Sequence, residues 1–206
     1  MKAVEFLSRL GNLSSPFIQT REVASIFGIS THSVGKYLKD LRDQRFVEKI
    51  RKGKWVLRSS NFDPLQVAEF ITAPQESYLS LQTALYYHGM IEQIPAQTYS
   101  VTIDRSKTIR TPIGTFSFHH CNPDFFTGYK YIKPFLKVAI AEKALVDYFY
   151  FAPTKSRQFA RLPELEIPKN FSWKKVFLFC DVIPSLRTRS LVLKKIKRIV
   201  GELKVY

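Results

Sequence analysis

The sequence predicts an α/β (α+β) protein, an N-terminal winged helix-turn-helix followed by a larger mixed α/β domain with a small antiparallel sheet. Three observations carry that expectation. Residues 1–60 hold three short apolar-periodic segments and then two β-prone runs around a glycine. Residues 61–206 mix helical and period-2 segments. The charge is divided unevenly along the chain. The total is +15, and residues 1–60 carry 12 basic against 5 acidic residues while 61–170 carry 11 against 10 and 171–206 carry 9 against 2. Charge serving solubility alone would be spread evenly, whereas a basic excess at two ends marks surfaces for a polyanion.

Within the first unit, Val4, Leu7 and Leu10 line one side of a short helix, with Phe6 beside them and Gly11 at its end. Pro16 and Phe17 lead to a second helix capped by Thr20, with Glu22 in the first turn, Val23, Ala24, Ile26 and Phe27 inside and Gly28 as the stop. A third helix, THSVGKYLKDLRDQ, takes Ser30 or Thr31 as its cap and buries Val34, Leu38 and Leu41 at i, i+4 and i+7. FVEKI, the turn RKGK and WVLRS then form a hairpin with a basic tip. Helix, tight turn, polar-faced helix and hairpin in this order read as a winged helix-turn-helix.

In such docking the N-terminal end of the third helix meets base edges, and flanking cations hold phosphates. Thr31, His32, Ser33, Lys36 and Tyr37 occupy that end, Lys39 and Arg42 lie further along, and Lys49, Arg51, Lys52 and Lys54 supply the wing. The expected partner is double-stranded DNA. The bland alternative is a solvated helix and a charged hairpin in a protein-binding module; the coincidence of cations with both docking elements favours DNA.

The polar cluster SSNFDP at 59–64 marks the boundary between units at 1–60 and 61–206, and weaker breaks fall at 152–156 and 163–170. Beyond it, LQVAEFI reads as a helix and YLSLQTALYYHGMI as a second, with Tyr78, Leu81 and Leu85 on its core side. YSVTID and IRTPIGTFSFHH alternate as strands with Pro112-Ile113-Gly114 turning between them, and FLKVAIAEKALVDYFYFA is a strand passing into a helix. KKVFLFCDVI suits a strand or a buried helix equally. RTRSLVLKKIKRIVGELK reads as a basic amphipathic helix with Leu191, Ile196 and Ile199 inside. Its Lys194, Lys195, Lys197 and Arg198 suit a solvated face, a phosphate-binding extension or an acidic partner alike.

Catalytic chemistry is not expected. Cys121 and Cys180 are too few for a disulfide framework, and no zinc spacing is present. His119, His120 and Cys121 alternate across a strand and cannot all face one metal. Glu142 and Lys143 with Asp124 suggest a metal-dependent nuclease, but the acid-x-Lys spacing is missing. No phosphate loop, Ser-x-x-Lys or GxSxG occurs. No metal and no cofactor are therefore expected. With no secretory core and no run near the roughly 18 apolar residues of a membrane span, the expected location is cytoplasmic, with no membrane partner.

From about residue 5 to 151 the chain resembles the AbiEi family of antitoxins from type IV toxin–antitoxin (abortive infection) systems. The resemblance rests on Ser80, Ala84, Leu85, Tyr87, Gly89 and Pro95, then on Ala141, Glu142, Lys143, Ala144, Leu145 and Asp147. It implies a repressor of its own operon, bound to operator DNA at inverted repeats. It also implies an antitoxin whose C-terminal domain counteracts a nucleotidyltransferase-like toxin without stable direct contact. A stand-alone winged-helix regulator is the nearest alternative, and a DNA-acting nuclease stands well behind both.

Overall fold

Helix α1 (Ala3–Gly11) closes over strand β1 (Phe17–Gln19) and helices α2 (Thr20–Phe27) and α3 (Thr31–Asp43), and a hairpin of β2 (Val47–Arg51) and β3 (Lys54–Leu57) follows. The computed structural model describes residues 3–58, 62–151 and 164–202. The sequence boundary at 59–64 and the breaks at 152–156 and 163–170 lie partly or wholly outside them.

The three strands form one antiparallel sheet in the order β1-β3-β2. Phe17–Gln19, read from sequence as the approach to a helix, is thus a strand, because Phe17 and Ile18 alternate between two buried faces. Gly28 ends α2 in the left-handed region (φ 65°), and the N–H of Ile29 returns to the Ala24 carbonyl at 3.1 Å. The cap of α2 is Gln19 and not Thr20; the Thr20 hydroxyl instead accepts from the Trp55 indole at 3.2 Å. For α3 the cap is Ser30, whose Oγ accepts the Ser33 N–H at 3.1 Å.

Both faces of the sheet are covered along β3 and most of β1. One side packs Ile18, Val47, Trp55 and Leu57 onto Phe6, Leu10, Val23, Val34, Leu38 and Leu41 of the helices. The other side sends Phe17, Ile50 and Val56 into the core of the second unit. There the Phe17 ring lies 5.0 Å from Phe70, 5.2 Å from Phe135 and 5.5 Å from Phe62.

The second unit contains α4 (Gln66–Thr72), β4 (Ser77–Leu79), α5 (Leu81–Tyr87), β5 (Thr98–Thr102), β6 (Lys107–Thr111), β7 (Gly114–His120), a 3-10 turn (Pro123–Phe125), β8 (Tyr129–Lys133), β9 (Leu136–Ala139), α6 (Ala141–Phe151), α7 (Trp173–Asp181) and α8 (Leu186–Glu202). Among the described residues its sheet has six strands in the order β6-β7-β5-β4-β9-β8. β4/β9 and β5/β7 are parallel, and the other pairs are antiparallel. The α/β class holds; the small antiparallel sheet becomes a larger mixed one.

Two other details differ from the sequence pattern. Tyr78 and Leu79 belong to a strand, not to the helix beginning at Leu81, because β4 lies between β5 and β9 and is buried throughout, where apolar periodicity carries no signal. On α8 the buried residues are Val192 and Ile196, while Leu191 is 44% exposed. KKVFLFCDVI is mostly helical, as α7. Among the described residues no helix is long and apolar enough to cross a membrane.

Candidate nucleic-acid interface

Burial of Val34, Leu38 and Leu41 fixes which side of α3 faces outward. On the opposite side His32, Lys36 and Lys39 recur at i, i+4 and i+7, all exposed, so they form one stripe. Thr31 is exposed beside them at the helix start. No acidic residue stands in the first turn, so the positive end of the helix is left uncompensated.

The remaining expected residues of α3 are less free. The Ser33 hydroxyl lies 2.9 Å from Ser30 Oγ, within the cap. The Tyr37 ring is half-buried and stacked on Phe6, with centroids 4.8 Å apart. Arg42 is exposed and pairs with its neighbour Asp43 at 2.8 Å.

At the hairpin, Lys49, Arg51 and Lys52 are exposed. A bulge between Lys49 and Arg51 and the left-handed Gly53 (φ 75°) turn the strand sharply at the tip. The Gly53 carbonyl accepts the Thr20 N–H at 2.9 Å, so the tip is tied to the start of α2. Lys49 Nζ lies 5.6 Å from the Trp55 ring centroid. Arg51 Nη1 donates to the Ile71 carbonyl at 3.2 Å.

Lys54 departs from the expectation that it is a phosphate-facing cation. It is only 9% exposed, and its Nζ donates to three main-chain carbonyls at the end of α4. These are Phe70, Ile71 (3.2 Å) and Ala73 (2.7 Å). Burial, with Arg51 nearby, lowers its pKa to about 8. The physical reason is the inward half of the strand alternation: Lys54 opens β3 on the side that meets the second unit. Its charge signalled a wing cation in the sequence, while its partners lie 16–19 residues away. Four further exposed cations among the described residues of the first unit, Arg9, Arg21, Arg45 and Arg58, fall outside the expected set; only their charge could have marked them.

Of the residues that suggested a nuclease, Asp124 is exposed on the 3-10 turn, while Lys143 and Glu142 are held in structural contacts. Asp147 is fully buried, and one of its carboxylate oxygens receives Lys143 Nζ. The other accepts from Ser80 Oγ at 2.6 Å and Tyr78 Oη at 3.1 Å. Burial pushes the Asp147 carboxyl up and the Lys143 ammonium down, each against the pull of its partner. The Lys143 ammonium also sits 3.3 Å from the Phe125 ring centroid. Glu142 accepts the Ser172 N–H at 3.0 Å at the head of α7. These groups tie α6 to β4 and α7. Cys121 and Cys180 are buried, and burial pushes their thiols up to about 12 and about 11. Among the described residues no three His, Cys, Asp or Glu side chains converge on a metal position.

No protein-family model matches the chain, and no curated protein matches it.

Proposed function

We propose that the protein is a DNA-binding transcriptional repressor whose first unit is a winged helix-turn-helix. The observation that carries this reading is the outward stripe His32–Lys36–Lys39 on a capped helix, together with Lys49, Arg51 and Lys52 exposed on the following hairpin. The order helix, strand, helix, helix, hairpin supports it. Thr31, His32 and Lys36 read base edges; Lys39, Arg42, Lys49, Arg51 and Lys52 hold phosphates.

The resemblance to AbiEi antitoxins extends the proposal to repression of its own operon at inverted repeats, and to antitoxin action by the second unit against a nucleotidyltransferase-like toxin. Ser80, Lys143 and Asp147, which carry part of that resemblance, join in one buried network, which favours a shared scaffold role for them.

The test is binding of the whole chain to duplex DNA from upstream of its own gene, against random duplex, at several salt concentrations. Each phosphate that a cation neutralises adds about 0.9 to the slope of log affinity against log salt. Replacing Lys49 and Lys52 by Ala should flatten it by nearly two such steps. An unchanged slope removes the wing from the interface, and no preference for the upstream duplex removes the repressor reading. Growth rescue of cells expressing a neighbouring nucleotidyltransferase-like gene tests the antitoxin half.

A further inference from the structure

Lys54 is the one wing cation of the expected set that is buried, and its surroundings are specific. Its ammonium has three protons and is placed against three carbonyls, those of Phe70, Ile71 and Ala73. These carbonyls belong to the last turn of α4, which carries the negative end of the helix dipole. At the tip side of the bulge on the same hairpin, Arg51 donates to the Ile71 carbonyl as well. Around these bonds, Phe17, Ile50 and Val56 of the first sheet pack with Phe70 of α4 in one core.

Burying an ammonium is costly unless every donor is satisfied. Leucine or valine at position 54 would pack the same boundary without that cost. What lysine adds is direction: it fixes where the end of β3, and with it the tip at Lys52–Gly53, lies relative to α4. Arg51 is the only other wing cation that reaches α4 among the described residues, and it remains exposed. It can therefore keep its carbonyl bond and still present the rest of its guanidinium outward.

We propose that Lys54 is a positioning residue for DNA binding. In this role it holds the hairpin on α4 before DNA arrives, so that Arg51 and Lys52 meet the phosphate backbone without the tip having to be ordered on binding. The proposal rests on the DNA-binding reading above. It makes α4 a part of the DNA-binding apparatus, although α4 itself presents no cation, and it means that any partner shifting α4 also changes affinity for DNA.

The experiment separates position from charge. In the whole chain, Lys54→Met, Lys54→Gln and Lys52→Ala are compared for duplex affinity at several salt concentrations, with thermal unfolding followed in parallel. Lys52→Ala serves as the standard for a phosphate-binding cation, lowering the slope by about 0.9. Lys54→Met is expected to weaken binding about two- to thirtyfold, the range of coupling through packed elements, with the slope unchanged. Lys54→Gln loses the charge but keeps two amide donors, so it should recover part of the affinity.

A slope that falls with Lys54→Met as it does with Lys52→Ala overturns the proposal, because Lys54 then binds phosphate itself. Unchanged affinity in both Lys54 variants, measured below their unfolding temperatures, overturns it too. If Lys54→Met does not fold, the Gln variant decides: affinity reduced at constant slope supports the positioning role, and wild-type affinity ends it. Failure of the wild-type chain to bind duplex at all would instead show up in the standard, and would take the DNA-binding reading down with the proposal.

Discussion

Lys143 and Asp147 stand one turn apart on α6, both wholly buried, with the ammonium of one bonded to the carboxylate of the other. Tyr78 and Ser80 reach the same carboxylate from β4 and the start of α5, so four side chains hold a helix against the middle of the six-stranded sheet. Asp147→Ala would strand the Lys143 ammonium and two hydroxyls in a dry core. The expected loss is about 3–5 kcal/mol of unfolding free energy. A double variant, Lys143→Met with Asp147→Leu, should recover most of it. Denaturant titration checks both; a loss under about 1 kcal/mol for Asp147→Ala would mean that water reaches the pair.

Lys36 lies mid-stripe on α3, between His32 and Lys39, and is exposed. As a base-reading residue it should cost about 1–3 kcal/mol on the upstream duplex when changed to Ala, and far less on random duplex. Competition binding measures the difference. An equal loss on both would assign Lys36 to phosphate.

His119 is half-buried between the Ser117 hydroxyl at 3.1 Å and the Phe151 ring at 5.3 Å. Burial lowers its pKa to about 4. The folded value lies below the unfolded one, so the unfolded chain binds the proton more readily and acid favours unfolding. The contribution of the neutral ring is fully present above about pH 6.5 and is lost as pH falls from there to about 4. Partial exposure trims the effect to about 2 kcal/mol. Stability measured across that window should fall less steeply for His119→Phe than for the wild type; parallel curves would remove His119 from the acid response.

Residues 62–206 expressed alone would leave Phe70 and Phe135 without Phe17, Ile50 and Val56. Three large apolar partners at about 1.5–3 kcal/mol each set the size of the loss. The fragment should therefore unfold at a lower temperature than the whole chain and bind a hydrophobic dye. Co-expression of residues 1–61 with it should restore part of the stability. A wild-type melting temperature in the fragment would show two independent units.

The local pattern of α3 was legible because it is short, capped by Ser30 and one-faced, whereas on α2 Ile26, expected inside, is 54% exposed and no side chain caps the helix. The stripe Val34–Leu38–Leu41 names the buried side of α3, and by geometry alone it leaves His32, Lys36 and Lys39 outside. The hairpin around Gly53 and the glycine stop at Gly28 were equally readable, since both turns use a left-handed glycine. The β4 strand was not readable. Ser77, Tyr78 and Leu79 are covered on both sides, and a segment buried all round has no period to detect.

By itself, then, the sequence determined the α/β class, the places of α1, α2, α3 and the β2–β3 hairpin, and the exposed cations of α3 and that hairpin, all consequences of interactions within a few residues. The tertiary structure alone decided the partners of groups distant in sequence. It turned Lys54 from a wing cation into a clamp on α4, and placed Phe17 in the second core. It also gathered Tyr78, Ser80 and Lys143 around the Asp147 carboxylate. The reason is physical: a lysine's charge and length are the same in solvent and against a helix end, and only the position of α4 determines which of the two it meets.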